Sequence, residues 1–282
     1  MIKRMYFENE QGRVEMFLGG AGPVRVTALS GFGNPVRTYN AVNFAGKDGQ
    51  KTLSSVAETR TMIVCGDIRY KNREFLEKVM RIFDGEGTLY LDFDGKKRKI
   101  KCNQVKFEDG ERNGSYMKFI LTLIADGVYF NDVYPTEIAV FEKRKMLEGD
   151  IVFPCVFTEK TTQAWVENFG EVSVEPVITI YNFYDSENES ENGIVIENLT
   201  TGQKFELSGG MTENETITID IPARRVTSSV RGNIVSLISD DTFLNKLYLL
   251  PGKNLIRASH GNVGEELSVI CRYNSNYREG IY

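Results

Sequence analysis

His260 is the only histidine in the chain. It lies in Ala258-Ser259-His260-Gly261-Asn262, and a Ser–His–Asp hydrolase would need its imidazole as base. No G-x-S-x-G elbow accompanies it, and no Gly-rich phosphate loop occurs anywhere. The segment reads as a surface turn. The four cysteines are Cys65, Cys102, Cys155 and Cys271, with no C-x-x-C pair among them. A tetrahedral zinc site needs about four clustered N or S ligands, so the expectation is buried reduced thiols. Catalytic, cofactor-binding and metal-binding residues are each expected to be none, and the chain is expected not to be an enzyme.

Three further groups carry chemistry in principle. Asp185, Glu187, Glu189 and Glu191 occupy every second position of a short acidic stretch. A calcium loop requires a bidentate glutamate at its twelfth place, and Ile196 stands there when counted from Asp185. A mobile acidic hairpin tip is the better reading. The run Lys96-Lys97-Arg98-Lys99-Ile100-Lys101 could meet nucleic acid or an acidic partner. It lacks the interleaved aromatics on which bases stack, so a solvated hairpin edge is expected, where lysines also discourage stray strand pairing. Trp165, the single tryptophan, could stack on a sugar. Its place near the start of the second half suggests packing in a core or at a domain junction instead.

The elements that must position these residues are mostly strands. Val24, Val26 and Ala28 alternate with polar neighbours, as do Met117, Phe119, Leu121 and Leu123. Turns are expected at Asp94-Gly95 and Asp109-Gly110. From Asn72 to Asp84 the period changes: Phe75, Leu76, Val79, Met80 and Phe83 fall on one helical face. Asn72 is placed to cap that helix and Gly85 to stop it. The second half alternates again through Ile178 and Ile180, through Ile217, Ile219 and Ile221, and through Leu267, Val269 and Cys271. Its turn signals are Asn192-Gly193, Thr201-Gly202, Gly209-Gly210, Arg231-Gly232-Asn233 and Pro251-Gly252.

Composition bounds the class. The 282 residues are 41% hydrophobic and 26% charged, typical of a globular protein. No run approaches the roughly 18 apolar residues of a membrane span. The N-terminal MIKRMYFENEQGR lacks a secretory signal, so synthesis in the cytoplasm is expected. Residues 1–130 carry a net charge of +5 and residues 131–282 a net of −10, which supports two units with different surroundings. Pro135, the run Glu142-Lys143-Arg144-Lys145 and Pro154 place the junction between them. The division expected is 1–135, a linker or arm at 136–160, and 161–282.

Several of these stretches carry a family likeness. Leu29-Ser30-Gly31-Phe32-Gly33 with Pro35, Asp48-Gly49, Arg60-Thr61-Met62-Ile63-Val64, the helix Arg73–Phe83, Gly87-Thr88-Leu89-Tyr90-Leu91, Arg98-Lys99-Ile100-Lys101-Cys102, and Phe119–Leu123 followed by Tyr129-Phe130 resemble, in order, the N-terminal domain of siphovirus distal tail proteins. In that family a proline often precedes the closing aromatics, whereas here the segment is Ala125-Asp126-Gly127-Val128. Asn168-Phe169-Gly170, Glu175–Ile180, Ile196–Gln203, Thr218-Ile219-Asp220, Leu250–Asn254 and Val269–Tyr273 resemble the family's galectin-like sandwich.

The resemblance implies a mainly β fold: a β-sandwich-like N-terminal ring domain with one α-helix, then a C-terminal galectin-like β-sandwich. It implies a structural subunit of a phage or phage-like tail tip. There a hexameric ring would join the tail tube protein to the hub protein and the adsorption apparatus, with receptor-binding proteins among its partners. No membrane and no sequence-specific nucleic acid are expected, and the location implied is the virion tail tip. Two rivals compete with it: a lectin-like module that binds host cell-wall saccharide, and a cell-wall hydrolase, which would need paired carboxylates in a cleft.

Overall fold

Alternation of apolar and polar residues builds the first half of the chain into one wrapped sheet. A computed structural model of the chain describes residues 3–19, 22–93, 95–145, 158–182, 193–260 and 267–280. The fold is mainly β, and it divides into two compact units, Met1–Val133 with Tyr277–Tyr282, and Tyr134–Asn276. Cys155 and the acidic stretch Asp185–Glu191 lie outside the described residues.

In the first unit the strands are β1 (Lys3–Asn9), β2 (Gly12–Leu18), β3 (Val24–Ser30), β4 (Arg37–Asn43), β5 (Gln50–Ala57) and β6 (Arg60–Arg69). They continue after the helix with β7 (Gly87–Phe93), β8 (Lys96–Cys102), β9 (Gln104–Asn113), β10 (Tyr116–Ala125) and β11 (Phe130–Asp132). Nine of these form a continuous run in the order β11-β8-β7-β1-β2-β3-β6-β10-β9. Only Asn103 separates β8 from β9, although the two lie seven places apart in that order. The sheet therefore curls back on itself, and one sheet supplies both layers of the unit. Its inward rows include Met5 and Phe7, Leu89 and Leu91, and Met117, Phe119, Leu121 and Leu123, all buried in one core.

Helix α1 (Arg73–Ile82) covers that core with Leu76, Val79 and Ile82, while Phe75 and Met80 are half-buried against it. Asn72 caps the helix, its Oδ1 accepting the Phe75 amide at 3.1 Å. Phe83, the residue after the last turn, stacks on the Phe107 and Phe119 rings with centres within 6.2 Å and packs tilted against Phe7 at 5.9 Å.

Three local expectations need correction. Ala28 is exposed, because a register shift against β6 between Val26 and Ala28 breaks the alternation. Asp109-Gly110 is not a turn: it lies within β9 opposite a register shift in β10, and the chain reverses at Gly114-Ser115. The basic run is a solvated edge only in part: Lys96, Lys97 and Lys101 are exposed, but Arg98 is not. The strand β8 pairs with β7 on one side and β11 on the other. Its inward row is Arg98, Ile100 and Cys102, which puts a guanidinium in the interior.

The second unit comprises β12 (Thr136–Lys145), β13 (Thr158–Thr161), β14 (Gln163–Asn168), β15 (Val177–Asn182), β16 (Ile194–Asn198) and β17 (Gln203–Leu207). It continues with β18 (Thr216–Asp220), β19 (Arg225–Ser228), β20 (Gly232–Asn233), β21 (Gly252–His260) and β22 (Leu267–Tyr273). Two sheets, β13-β12-β22-β15-β18-β19-β20 and β14-β21-β16-β17, enclose a single core that includes Ile178, Ile180, Ile196, Phe205, Ile217, Ile219 and Val269. Residues 136–145, expected in a linker or arm, form a strand between β13 and β22, because Val140 and Phe141 are needed in that core. His260 ends β21 opposite Ile194, so its backbone is strand rather than turn.

The chain then returns to the first unit. A final strand β23 (Asn276–Tyr277) adds beside β11. Residues Tyr277–Gly280, expected in the second domain, therefore complete the first.

Candidate functional site

The hairpin β4–β5 stands apart from both cores as its own two-stranded sheet. Its register runs from Arg37 opposite Ala57 to Asn43 opposite Gln50, with one shift between Asn40 and Ala41. Cross-strand bonds hold the ribbon together: Arg37 Nη1 to Ser55 Oγ at 2.8 Å and Asn40 Nδ2 to Ser54 Oγ at 3.0 Å. Every residue of β4 is exposed, and so is β5 up to Val56. Yet Val36, Tyr39, Val42, Phe44, Leu53 and Val56 are large apolar side chains, 50–69% exposed. Tyr39 faces Ser55 and Thr38 faces Val56, so the apolar groups lie on both sides of the ribbon. A lone two-stranded hairpin is marginally stable in water, and one with apolar groups on both faces has nothing of its own to bury them against.

The base of this ribbon is built rigidly. The Glu58 amide bonds to Val36 O at 2.9 Å. Two residues on, Arg60 is 4% exposed, and its guanidinium reaches four backbone carbonyls. Nε donates to Val128 O at 2.8 Å, Nη1 to Gly31 O and Gly33 O at 2.8 and 2.7 Å, and Nη2 to Arg278 O at 2.6 Å. The same group lies over the Phe130 ring, 4.7 Å from its centre. Burial pulls the Arg60 pKa below its ordinary value, while the four acceptors engage four of its five N–H donors.

Arg60 thus ties together the strand entering the ribbon, the strand leaving it, and the C-terminal tail. Gly31 has φ +82°, and a Cβ there would lie 2.0 Å from Thr61 O, so no other residue fits. The tail is fixed at three more points. The Gly280 amide bonds to Phe32 O at 2.8 Å, Tyr277 Oη donates to Asp132 Oδ1 at 3.0 Å, and buried Arg98 donates to Glu279 O.

A concave groove of about 710 Å³ lies on the outward side of β3, β6, β10 and β9. On its floor Asp67 accepts from Arg25 Nε and Nη2 at 2.9 and 2.6 Å, and Lys118 on the rim pairs with Glu111 at 2.6 Å. Paired charges of this kind favour polar contact with a partner over acid–base chemistry.

The remaining candidates are dispersed. Cys102 and Cys271 are buried, and burial pushes each thiol up to about 12, far from reactive thiolate. Among the described residues no three His, Cys, Asp or Glu side chains converge on a metal position, and no helix is long and apolar enough to cross a membrane. Trp165 is the main departure: it is not packed in a core but 60% exposed on the outward side of β14. The ribbon and the Arg60 clamp were not singled out as a site from sequence. The clue available was that Tyr39, Val42, Leu53 and Val56 do not keep a strict period of two.

No family model matches the chain, and no curated protein does. Among solved structures, the chain matches the Dit (gp 19.1) protein of SPP1, described as a paradigm of the hub adsorption apparatus in phages infecting Gram-positive hosts. The TM-score is 0.61 at 10% identity, over 98% of this chain and 99% of that one. Chains of the phage P2 baseplate in its activated conformation, with calcium and with strontium, match with TM-scores of 0.45 and 0.42. Each is 10% identical and covers 96% of this chain and 98% of the other. By the match to the SPP1 protein, the chain has the fold of a phage distal tail protein, the fold its sequence resembles.

Proposed function

We propose that this chain is a non-enzymatic structural subunit of a phage or phage-like tail tip, where copies of it close into a hexameric ring between the tail tube and the hub of the adsorption apparatus. Shared fold supports this reading but does not fix function. The observation that carries it is the β4–β5 ribbon: apolar on both faces, separate from either core, and fastened at its base by Arg60. Such an arm is suited to lie on a neighbouring copy. Each copy then offers an arm and receives one, a head-to-tail contact that gives a ring where the rotation closes and a filament where it does not. The first unit, which bears the ribbon, forms the ring; the second is the galectin-like module presented outward.

The test is Leu53→Asp with Val56→Asp, co-expressed with the tail tube and hub proteins so that a template is present. The wild-type chain should appear as six-fold density at the tail tip, with the first unit lining the channel. The double variant should stay soluble and unassembled. Its melting temperature should shift little, since exposed positions usually alter stability by within about 0.5 kcal/mol. Normal rings from the double variant, or wild-type rings in which the ribbon remains in water, would refute the reading.

A further inference from the structure

We propose that the outward face of the four-stranded sheet in the second unit is a binding site for an uncharged oligosaccharide, with the Trp165 indole as its platform. This goes beyond ring assembly and does not depend on it.

The registers place the outward side chains in rows across the sheet. Trp165 on β14 stands opposite Leu255 on β21. Leu199, just past β16, bonds through its amide to Leu255 O at 2.8 Å. Trp165, Leu255 and Leu199 thus make a short apolar row. The adjacent row is polar: Gln163 opposite Arg257, Arg257 opposite Glu197, and Glu197 opposite Lys204. On the other side Glu167 stands opposite Lys253. An apolar strip one side chain wide, flanked by hydrogen-bonding groups, matches a sugar ring: its C–H face lies on the indole and its hydroxyls reach the polar rows.

The face is also held in shape. Arg257 Nε donates to Glu197 Oε2 at 3.0 Å, which orients both groups. Behind the sheet, three buried asparagines fix the loops that border this end. Asn168 Nδ2 bonds to Val172 O at 2.9 Å, Asn198 Nδ2 to Tyr248 O at 2.9 Å, and Asn254 Nδ2 to Leu250 O at 2.8 Å. Phe169, 64% exposed, lies just past the end of β14.

Charge selects the ligand class. Arg257 is paired with Glu197, Lys204 with Glu206 at 2.6 Å, and Lys253 faces Glu167. The face is therefore balanced, with no excess of cations to draw a phosphate-rich polymer. A protein partner is the weaker candidate. Dry burial would desolvate the ion pairs flanking the strip, a cost their mutual attraction often fails to recover. A saccharide supplies hydroxyls to those same groups.

Trp165 is the only tryptophan, so its emission reports this face directly. The full chain would be titrated with cellohexaose, maltohexaose and chitohexaose, and screened on an array of neutral bacterial oligosaccharides. The expected result is a saturable emission change with at least one neutral saccharide. By calorimetry, Trp165→Ala should weaken that binding by about ten-fold or more, the scale of one lost stacking contact. Arg257→Met should weaken it by a similar factor through lost charged hydrogen bonds. Neither variant should lose its cooperative melting transition, since both positions are exposed. No response to any saccharide overturns the proposal. So does saccharide binding that survives Trp165→Ala, or shielding of Trp165 only when another tail protein is bound.

Discussion

Replacing Arg60 with methionine should destabilise the first unit by about 3–5 kcal/mol. The side chain donates four hydrogen bonds to carbonyls at Gly31, Gly33, Val128 and Arg278. A hydrogen bond to a charged group is worth about 1.5–3 kcal/mol net of desolvation, and four made by one side chain do not add in full. The loss expected is that of a buried charged network deprived of one partner, about 3–5 kcal/mol. Methionine fills much of the volume but leaves the four carbonyls without their donor.

At roughly 3 °C per kcal/mol for a unit of this size, the melting transition should fall by about 10–15 °C in scanning calorimetry. Hydrogen exchange should localise the damage, with the Gly280 amide, bonded to Phe32 O, losing protection first. Arg60→Lys should fall between the two proteins, since an ammonium has three donors for four acceptors. A shift below about 2 °C for Arg60→Met, well under the loss expected of a broken buried network, would refute the claim that this clamp joins the ribbon base to the tail.

Phe83→Ala should cost about 3–5 kcal/mol by chemical denaturation, because the ring is buried among three other phenylalanines; a loss below about 0.5 kcal/mol would match a surface site instead. Gly31→Ala should be poorly tolerated, its added Cβ meeting Thr61 O at a left-handed backbone position, and wild-type yield and melting temperature would contradict that close approach. For Glu215, burial pushes the carboxyl up, but hydrogen bonds from Ser228, the Thr212 amide and Arg231 more than offset it, so the folded pKa lies below 4.5. Its stabilisation is therefore complete above about pH 4.5 and is lost as pH falls through the lower folded value. Glu215→Gln should flatten that part of the acid-stability curve, and an unchanged curve would remove Glu215 as its source.

The buried strands were legible because their neighbours alternate. Met117 to Leu123 and Ile217 to Ile221 announce the inward face, and Asn72 with Phe75 to Phe83 announces the helix. What was not legible follows from polar or glycine residues doing interior work. In Gln163–Asn168 the apolar cluster Ala164-Trp165-Val166 leaves the parity open. The inward row is Val166 and Asn168, and because Asn168 is buried to brace a loop, Trp165 is turned to water. Arg98 and Arg60 look like surface cations until their carbonyl acceptors are known. The Arg98 acceptor at Glu279 and one of the four Arg60 acceptors, at Arg278, sit in the C-terminal tail, and nothing local in Tyr277–Gly280 announces that it joins a sheet begun more than a hundred residues earlier.

The ribbon was hidden for the opposite reason, and its energetics bear on how the proposed ring would form. Burying a large apolar side chain completely is worth about 1.5–3 kcal/mol. Val36, Tyr39, Val42, Phe44, Leu53 and Val56 are each about half to two-thirds exposed already. Covering them on a neighbour would then contribute about 5–10 kcal/mol per contact, comparable with the roughly 4–15 kcal/mol cost of restricting one copy against another. A single contact thus leaves an open pair weak. The last contact in a closed ring joins copies already held and incurs little of that cost. Assembly should therefore pass from monomer to complete ring over a narrow concentration range, with few dimers or trimers between. Mass photometry of the chain co-purified with its template would test this, and a ladder of stable open oligomers would show that the ribbon contact is strong on its own and that closure adds nothing.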